Sequence, residues 1–146
     1  MTAIAITPST SIDRRTAPVW RVGVVATLAG AAATELFGLF ARAIDVPMRA
    51  ADPGAASAKA IPVGGLFAAV LMNAAVGVLL AMALARWAKR PARTFAIVAV
   101  GYTVLSELAP VFAAHTTTAT KVVLFIAHLI AAAIIIPPIA NRLRAA

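Results

Sequence analysis

Four long apolar runs, separated by short polar stretches, organise this chain. They are Val19 to Ile44, Pro62 to Ala85, Thr94 to Ala114 and Lys121 to Ala140. Each is near the ~20 residues an α-helix needs to cross a ~30 Å hydrocarbon core. The pattern predicts an all-α protein, a four-helix transmembrane bundle made of two tandem helical hairpins. Residues 1–18 are polar, with Thr7-Pro8-Ser9-Thr10-Ser11 and Arg14-Arg15, and read as a disordered cytoplasmic tail ahead of a membrane domain over 19–144. The 45–61 loop carries Pro47, Pro53 and Gly54 and few large apolar residues, so no stable fold is expected there beyond a short interfacial helix at 55–60. Pro138 lacks an N–H and is expected to kink or end the fourth helix, and Pro110 to weaken the third near its end.

Small residues recur at every fourth position and let helix backbones approach closely in lipid. The first span has Ala26, Gly30, Thr34 and Gly38, and the second has Gly65, Ala69, Asn73, Gly77, Ala81 and Ala85. The first span is not read as a cleaved leader. Arg14-Arg15 and Ala41-Arg42-Ala43 imitate its flanks, but the apolar run exceeds the usual ~7–15 residues and contains Glu35.

Composition supports the membrane reading. The chain is 62% hydrophobic and 12% charged, with mean hydropathy +0.95, against roughly 45–50% and about 25% for soluble domains. The net charge of +8 does not form a nucleic-acid surface, because the basic residues flank apolar runs. Arg14, Arg15, Arg21, Arg86, Lys89, Arg90, Arg93, Arg142 and Arg144 fall on one side, and Arg42, Arg49, Lys59 and Lys121 on the other. The positive-inside rule then places both termini in the cytoplasm, with Trp20 and Trp87 anchoring the inner boundary. The chain has no cysteine, which excludes disulfides and thiol chemistry.

Glu35 and Glu107 change the picture most. Each interrupts an apolar span, and ionisable residues in such places usually face a bundle interior and mark function. Counting inward from the outer helix ends at 1.5 Å per residue, Glu35 lies roughly 13 Å deep, Glu107 and His128 about 10 Å, and Asn73 about 16 Å. Tyr102, Thr103 and Ser106 lie near the same layer. The first and third spans also align at an offset of 72 residues, pairing Arg21 with Arg93 and Glu35 with Glu107, and the second and fourth at 55, pairing Asn73 with His128. This suggests a parallel duplication about an axis along the membrane normal.

Two carboxylates held close in a low dielectric cannot both ionise cheaply and are expected to share a proton. A layer of Glu35, Asn73, Tyr102, Thr103, Glu107 and His128 suits a proton, a cation or a small amphiphile, with transport as one use of such a site. The alternative is an accessory or assembly subunit of a larger membrane complex, in which Glu–His–Asn hydrogen bonds only hold helix register. No metal site is expected, since neither Glu-x-x-His nor His-x-x-x-His occurs, and no cofactor motif or catalytic constellation points to an enzyme. The lipid bilayer is the one certain partner class, and a homo-oligomer or larger complex is compatible with so small a bundle.

Arg90-Pro91-Ala92-Arg93 before an aliphatic helix, Ser106-Glu107-Leu108-Ala109-Pro110, His128-Leu129 and Ile136-Pro137 together resemble an uncharacterised family of small actinobacterial four-helix membrane proteins, catalogued as a domain of unknown function. The resemblance covers most of 19–144. It implies topology and a bacterial inner membrane, and no activity. Small multidrug exporters also carry a glutamate in the first of four short helices, but the second glutamate, the long first loop and the charge bias depart from their pattern.

Overall fold

The computed structural model describes residues 17–51, 55–113 and 115–145. Most of the tail expected at 1–18 therefore lies outside the described residues. The elements run α1 (Val19–Ala43), β1 (Arg49–Ala50), β2 (Lys59–Ala60), α2 (Gly65–Trp87), α3 (Pro91–Ser106), α4 (Leu108–Phe112) and α5 (Thr118–Arg144). Among the described residues, four helical stretches are long and apolar enough to cross a membrane: α1, α2, α3 continued by α4, and α5. The all-α bundle of two helical hairpins is thus present. Its largest side chains commonly face outward, with Val25, Leu36, Met72, Val76 and Phe112 each more than 60% exposed. In a soluble protein such a surface would be an aggregation hazard. In lipid it meets its own solvent.

The helices run up and down. Ala17 meets Arg142 at the end that carries both termini, and Ala51 meets Thr116 at the opposite, hairpin end. Around the bundle the order is α1, α2, α3, α5, and α1 packs most extensively, against α5 and α2. Its buried stripe is almost all small: Gly23, Ala26, Thr27, Gly30, Ala31, Thr34, Gly38 and Ala41. The closeness is steric. A Cβ on Gly30 would come within 2.8 Å of Ile135, and one on Gly38 within 2.5 Å of Leu66.

Packing forms two apolar cores rather than one. Val78, Ala81, Phe95, Ile139, Ala140 and Leu143 fill the terminal end, while Ala41, Met48, Leu66 and Val123 fill the hairpin end.

Two expectations need correction, and a third holds. The 45–61 loop does hold structure. Arg49 pairs with Ala60 and Ala50 with Lys59 in a small antiparallel ladder, and no helix forms at 55–60. The ladder is extended by Ile61, which donates to the Met48 carbonyl, braced by Arg49, which donates to the Ala58 carbonyl, and tied to the segment before α5 by the Ala51 amide, which donates to Thr116. Second, α5 does not end at Pro137 and Pro138 but runs on to Arg144. Both prolines lie on the exposed side of the helix while Ile139, Ala140 and Leu143 are buried behind them. A proline inside a helix costs about 3 kcal/mol, which packing of that face offsets. The weakening expected near Pro110 is present, although Glu107 keeps a right-handed helical backbone and the Val111 amide donates to its carbonyl. The α-helix is interrupted at Glu107, three residues earlier, where the proline ring would otherwise press on the Ser106 carbonyl.

Candidate functional site

The two glutamates do different things. Glu35 accepts from the Gly64 amide at 2.8 Å and the Phe67 amide at 3.1 Å, and stands 3.8 Å from Arg42. Gly64 is the N-cap of α2, with φ +84° and no side chain to cap with. A helix N-terminus exposes unpaired N–H groups and a partial positive charge. Glu35 supplies from α1 the cap that the sequence omits at Gly64. Arg42 completes the joint by donating to the Ile61 and Pro62 carbonyls.

Glu107 has no such task. The N-terminus of α5 is capped locally, since Thr117 accepts from the Thr120 amide. Glu107 is 8% exposed, and among the described residues neither carboxylate oxygen has a hydrogen-bond partner. Its nearest polar neighbour is His128, with Nδ1 4.0 Å from Oε2. That nitrogen lies 2.8 Å from the Leu124 carbonyl. A carbonyl only accepts, so Nδ1 carries a proton, and Nε2 is an acceptor whenever the ring is neutral.

The shared-proton arrangement of Glu35 with Glu107 is therefore not what the fold builds. Among the described residues Glu35 bonds to the start of α2 and to Arg42, while Glu107 stands beside His128. The remaining polar residues form a third group. Tyr102 donates its hydroxyl to Asn73 Oδ1 at 2.5 Å, linking α3 to α2 at an exposed position, and Asn73 Nδ2 donates to the Ala69 carbonyl.

Between α2, α3 and α5, and between the two apolar cores, lies a cavity of about 350 Å³. Ligand pockets commonly measure ~300–1,000 Å³. Leu66, Leu80, Phe95, Leu124, Ile135 and Ile139 are among its larger apolar wall residues, and Thr34 lines it from α1. Its polar wall is Thr34, Asn73, Tyr102, Thr103, Ser106 and His128. Of the residues expected at the site, Asn73, Tyr102, Thr103 and His128 thus reach one cavity. Glu107 sits behind His128 and Ser106, and Glu35 is outside the lining.

The hydroxyls set the cavity's chemistry. Thr34 donates to the Gly30 carbonyl at 2.7 Å, Thr103 to Ala99 at 2.9 Å and Ser106 to Thr103 at 2.7 Å. Each has spent its only proton on its own helix, so what remains toward the cavity is lone pairs. With Nε2 of His128 and the Glu107 carboxylate behind it, the polar wall accepts far more than it donates. Sequence reasoning missed Arg42 as the partner of Glu35, and missed Thr34 as a wall residue. The signal for Thr34 was present, since it shares the small-residue stripe of α1.

The four long apolar helices define a multi-pass membrane protein, with a largely apolar cavity between α2, α3 and α5. The chain belongs to the family of unknown function DUF6069, whose model matches residues 14–145. No curated protein and no solved structure matches it. The expected kinship with an uncharacterised family therefore holds.

Proposed function

We propose that this is a non-enzymatic protein of the bacterial cytoplasmic membrane that binds a small amphiphile with a hydrogen-donating, cationic headgroup in the cavity between α2, α3 and α5. The observation that carries this reading is Glu107: a carboxylate buried in the membrane without a hydrogen bond, behind a cavity wall made of acceptors. An isolated buried carboxylate costs several kcal/mol, so it carries a proton or meets a cation. An ammonium beside His128 and Ser106 would supply both charge and donors, while its chain would lie along Leu80, Phe95 and Ile139. Exchange of that cation for a proton at Glu107 would give the site a means of release, which is what a transport role requires. Glu35 favours the second reading, an accessory subunit, because it shows that a polar residue in this bundle can serve packing alone.

The test uses the purified full chain in maltoside micelles, with retained ligands read by native mass spectrometry. Dodecylamine should be retained at least tenfold better than dodecanoate, and Ala132→Phe, which fills the cavity from α5, should abolish the difference. Equal retention of amine and carboxylate, or an unaffected Ala132→Phe variant, sinks the proposal.

The orientation proposed from charge placement has its own test. The chain has no cysteine, so single cysteines report cleanly. Ser57→Cys, exposed in the β1–β2 loop, should react with an impermeant maleimide on intact cells, and Ala145→Cys only after lysis. The opposite pattern would reverse the topology, and labelling of both on intact cells would mean dual insertion.

A further inference from the structure

The charge of the terminal end is not absorbed by the site above. Arg21, Arg86, Lys89, Arg90, Arg93, Arg142 and Arg144 lie there, while the described carboxylates, Glu35, Asp45 and Glu107, all lie in the hairpin half. Two of these cations are occupied locally. Arg142 donates to the Ala17 carbonyl, and Arg21 lies over the Trp20 ring. Arg90, Arg93 and Arg144 instead border one recess between the start of α3 and the end of α5, together with Pro91, Ala96, Ile97 and Leu143. Arg144 makes one long contact, 3.3 Å to Asn141. Among the described residues Arg90 and Arg93 face no acidic group.

The backbone adds to the recess. Pro91 opens α3 and has no N–H, and the Arg90 side chain makes no cap hydrogen bond. Thr94 donates to the Arg90 carbonyl, which leaves the Ala92 and Arg93 amides of this 16-residue helix without a partner among the described residues. Free amides at a helix N-terminus, with the positive end of its dipole, are a ready anion site. Guanidinium forks match phosphate oxygens in pairs. One turn into the membrane the character changes: Ile97 is 63% exposed, and Leu143, which also borders the recess, is buried in the apolar core of the terminal end. A free anion has no use for that wall, whereas an acyl chain leaving a headgroup does.

We infer that Arg90, Arg93 and Arg144, with the N-terminus of α3, form a binding site for the phosphate of an anionic phospholipid, whose chain runs along Ile97. The site is separate from the cavity between α2, α3 and α5 and does not depend on what that cavity holds. It ties the loop between α2 and α3 to the end of α5 through a lipid headgroup.

The experiment titrates the full chain in maltoside micelles with dioleoylphosphatidylglycerol and follows bound lipid by native mass spectrometry. Dioleoylphosphatidylcholine, diolein and inorganic phosphate are run as separate arms. Phosphatidylglycerol should bind at least tenfold better than phosphatidylcholine or diolein, and millimolar phosphate should displace little of it. Each arginine near an anionic surface is worth roughly fivefold in affinity, so R90Q/R93Q/R144Q should lose well over tenfold, while R86Q/K89Q stays within twofold. R90K/R93K/R144K keeps the charge but not the paired donors, so it should lose part of the binding, several-fold less than the glutamine variant. It also guards against misfolding of the glutamine variant, whose thermal midpoint should match the parent's. Equal losses in the two neutralised variants would show diffuse attraction and overturn the site. Diolein binding as well as phosphatidylglycerol would overturn the phosphate, and full displacement by inorganic phosphate would overturn the lipid.

Discussion

In Glu35→Ala the amides of Gly64 and Phe67 exchange with solvent roughly a hundredfold faster than in the parent, as a loss of about 3 kcal/mol requires. Two amide donors give up their charged acceptor, and each hydrogen bond to a charged group is worth about 1.5–3 kcal/mol. Arg42 loses less, because it keeps the Ile61 and Pro62 carbonyls. The damage is therefore local, at the joint between α1 and α2, and hydrogen exchange by mass spectrometry reads it directly. Glu35→Gln keeps one acceptor and should fall about midway. The Thr120 amide, capped within its own helix by Thr117, is the internal control. Unchanged protection at Gly64 and Phe67 in the alanine variant would remove Glu35 from its capping role.

Glu107→Gln gives the opposite phenotype. The amide fills nearly the same space, and no hydrogen bond to the carboxylate is there to lose. Stability in detergent should stay within about 1 kcal/mol, since a buried amide without partners costs something of its own. Amine selectivity should disappear: dodecylamine retention falls at least tenfold, to the level of dodecanol, while dodecanol retention is unchanged. Infrared difference spectra should show a carboxyl band that changes on amine binding in the parent, persists in Glu35→Gln and is missing in Glu107→Gln. If Glu107→Gln destabilises the bundle and leaves amine retention intact, Glu107 is a packing residue and the accessory-subunit reading gains.

The contrast between the two glutamates could not be reached from their surroundings in the chain. Thr34-Glu35-Leu36 and Ser106-Glu107-Leu108 look like copies, and the pairing of Arg21 with Arg93 strengthens that view. What separates them is the next helix. Gly64 gives α2 no cap and Thr117 gives α5 one, so one carboxylate is consumed and the other is not. A search for N-cap residues ahead of each apolar span would have raised this, because Gly64 and Thr117 stand in plain sequence.

Length and hydrophobicity along the chain were enough to determine four membrane-length helices and their up-and-down order, since rise per residue is nearly constant and water is excluded from the spans. They also exposed the basic end that now frames the recess of Arg90, Arg93 and Arg144. Only the tertiary structure decided which residues of one layer meet. Depth is one coordinate, whereas contact depends also on how each helix is rotated and where its axis lies, and those follow from packing. The glycines of α1 draw α2 and α5 close to it, α2 and α3 stay apart around a cavity, and Glu35, Asn73 and Glu107 turn toward three different partners. Packing likewise carried α5 through two prolines, and hydrogen bonds from Ile61 and Ala51 extended and tied down a small β-ladder that local sequence did not announce.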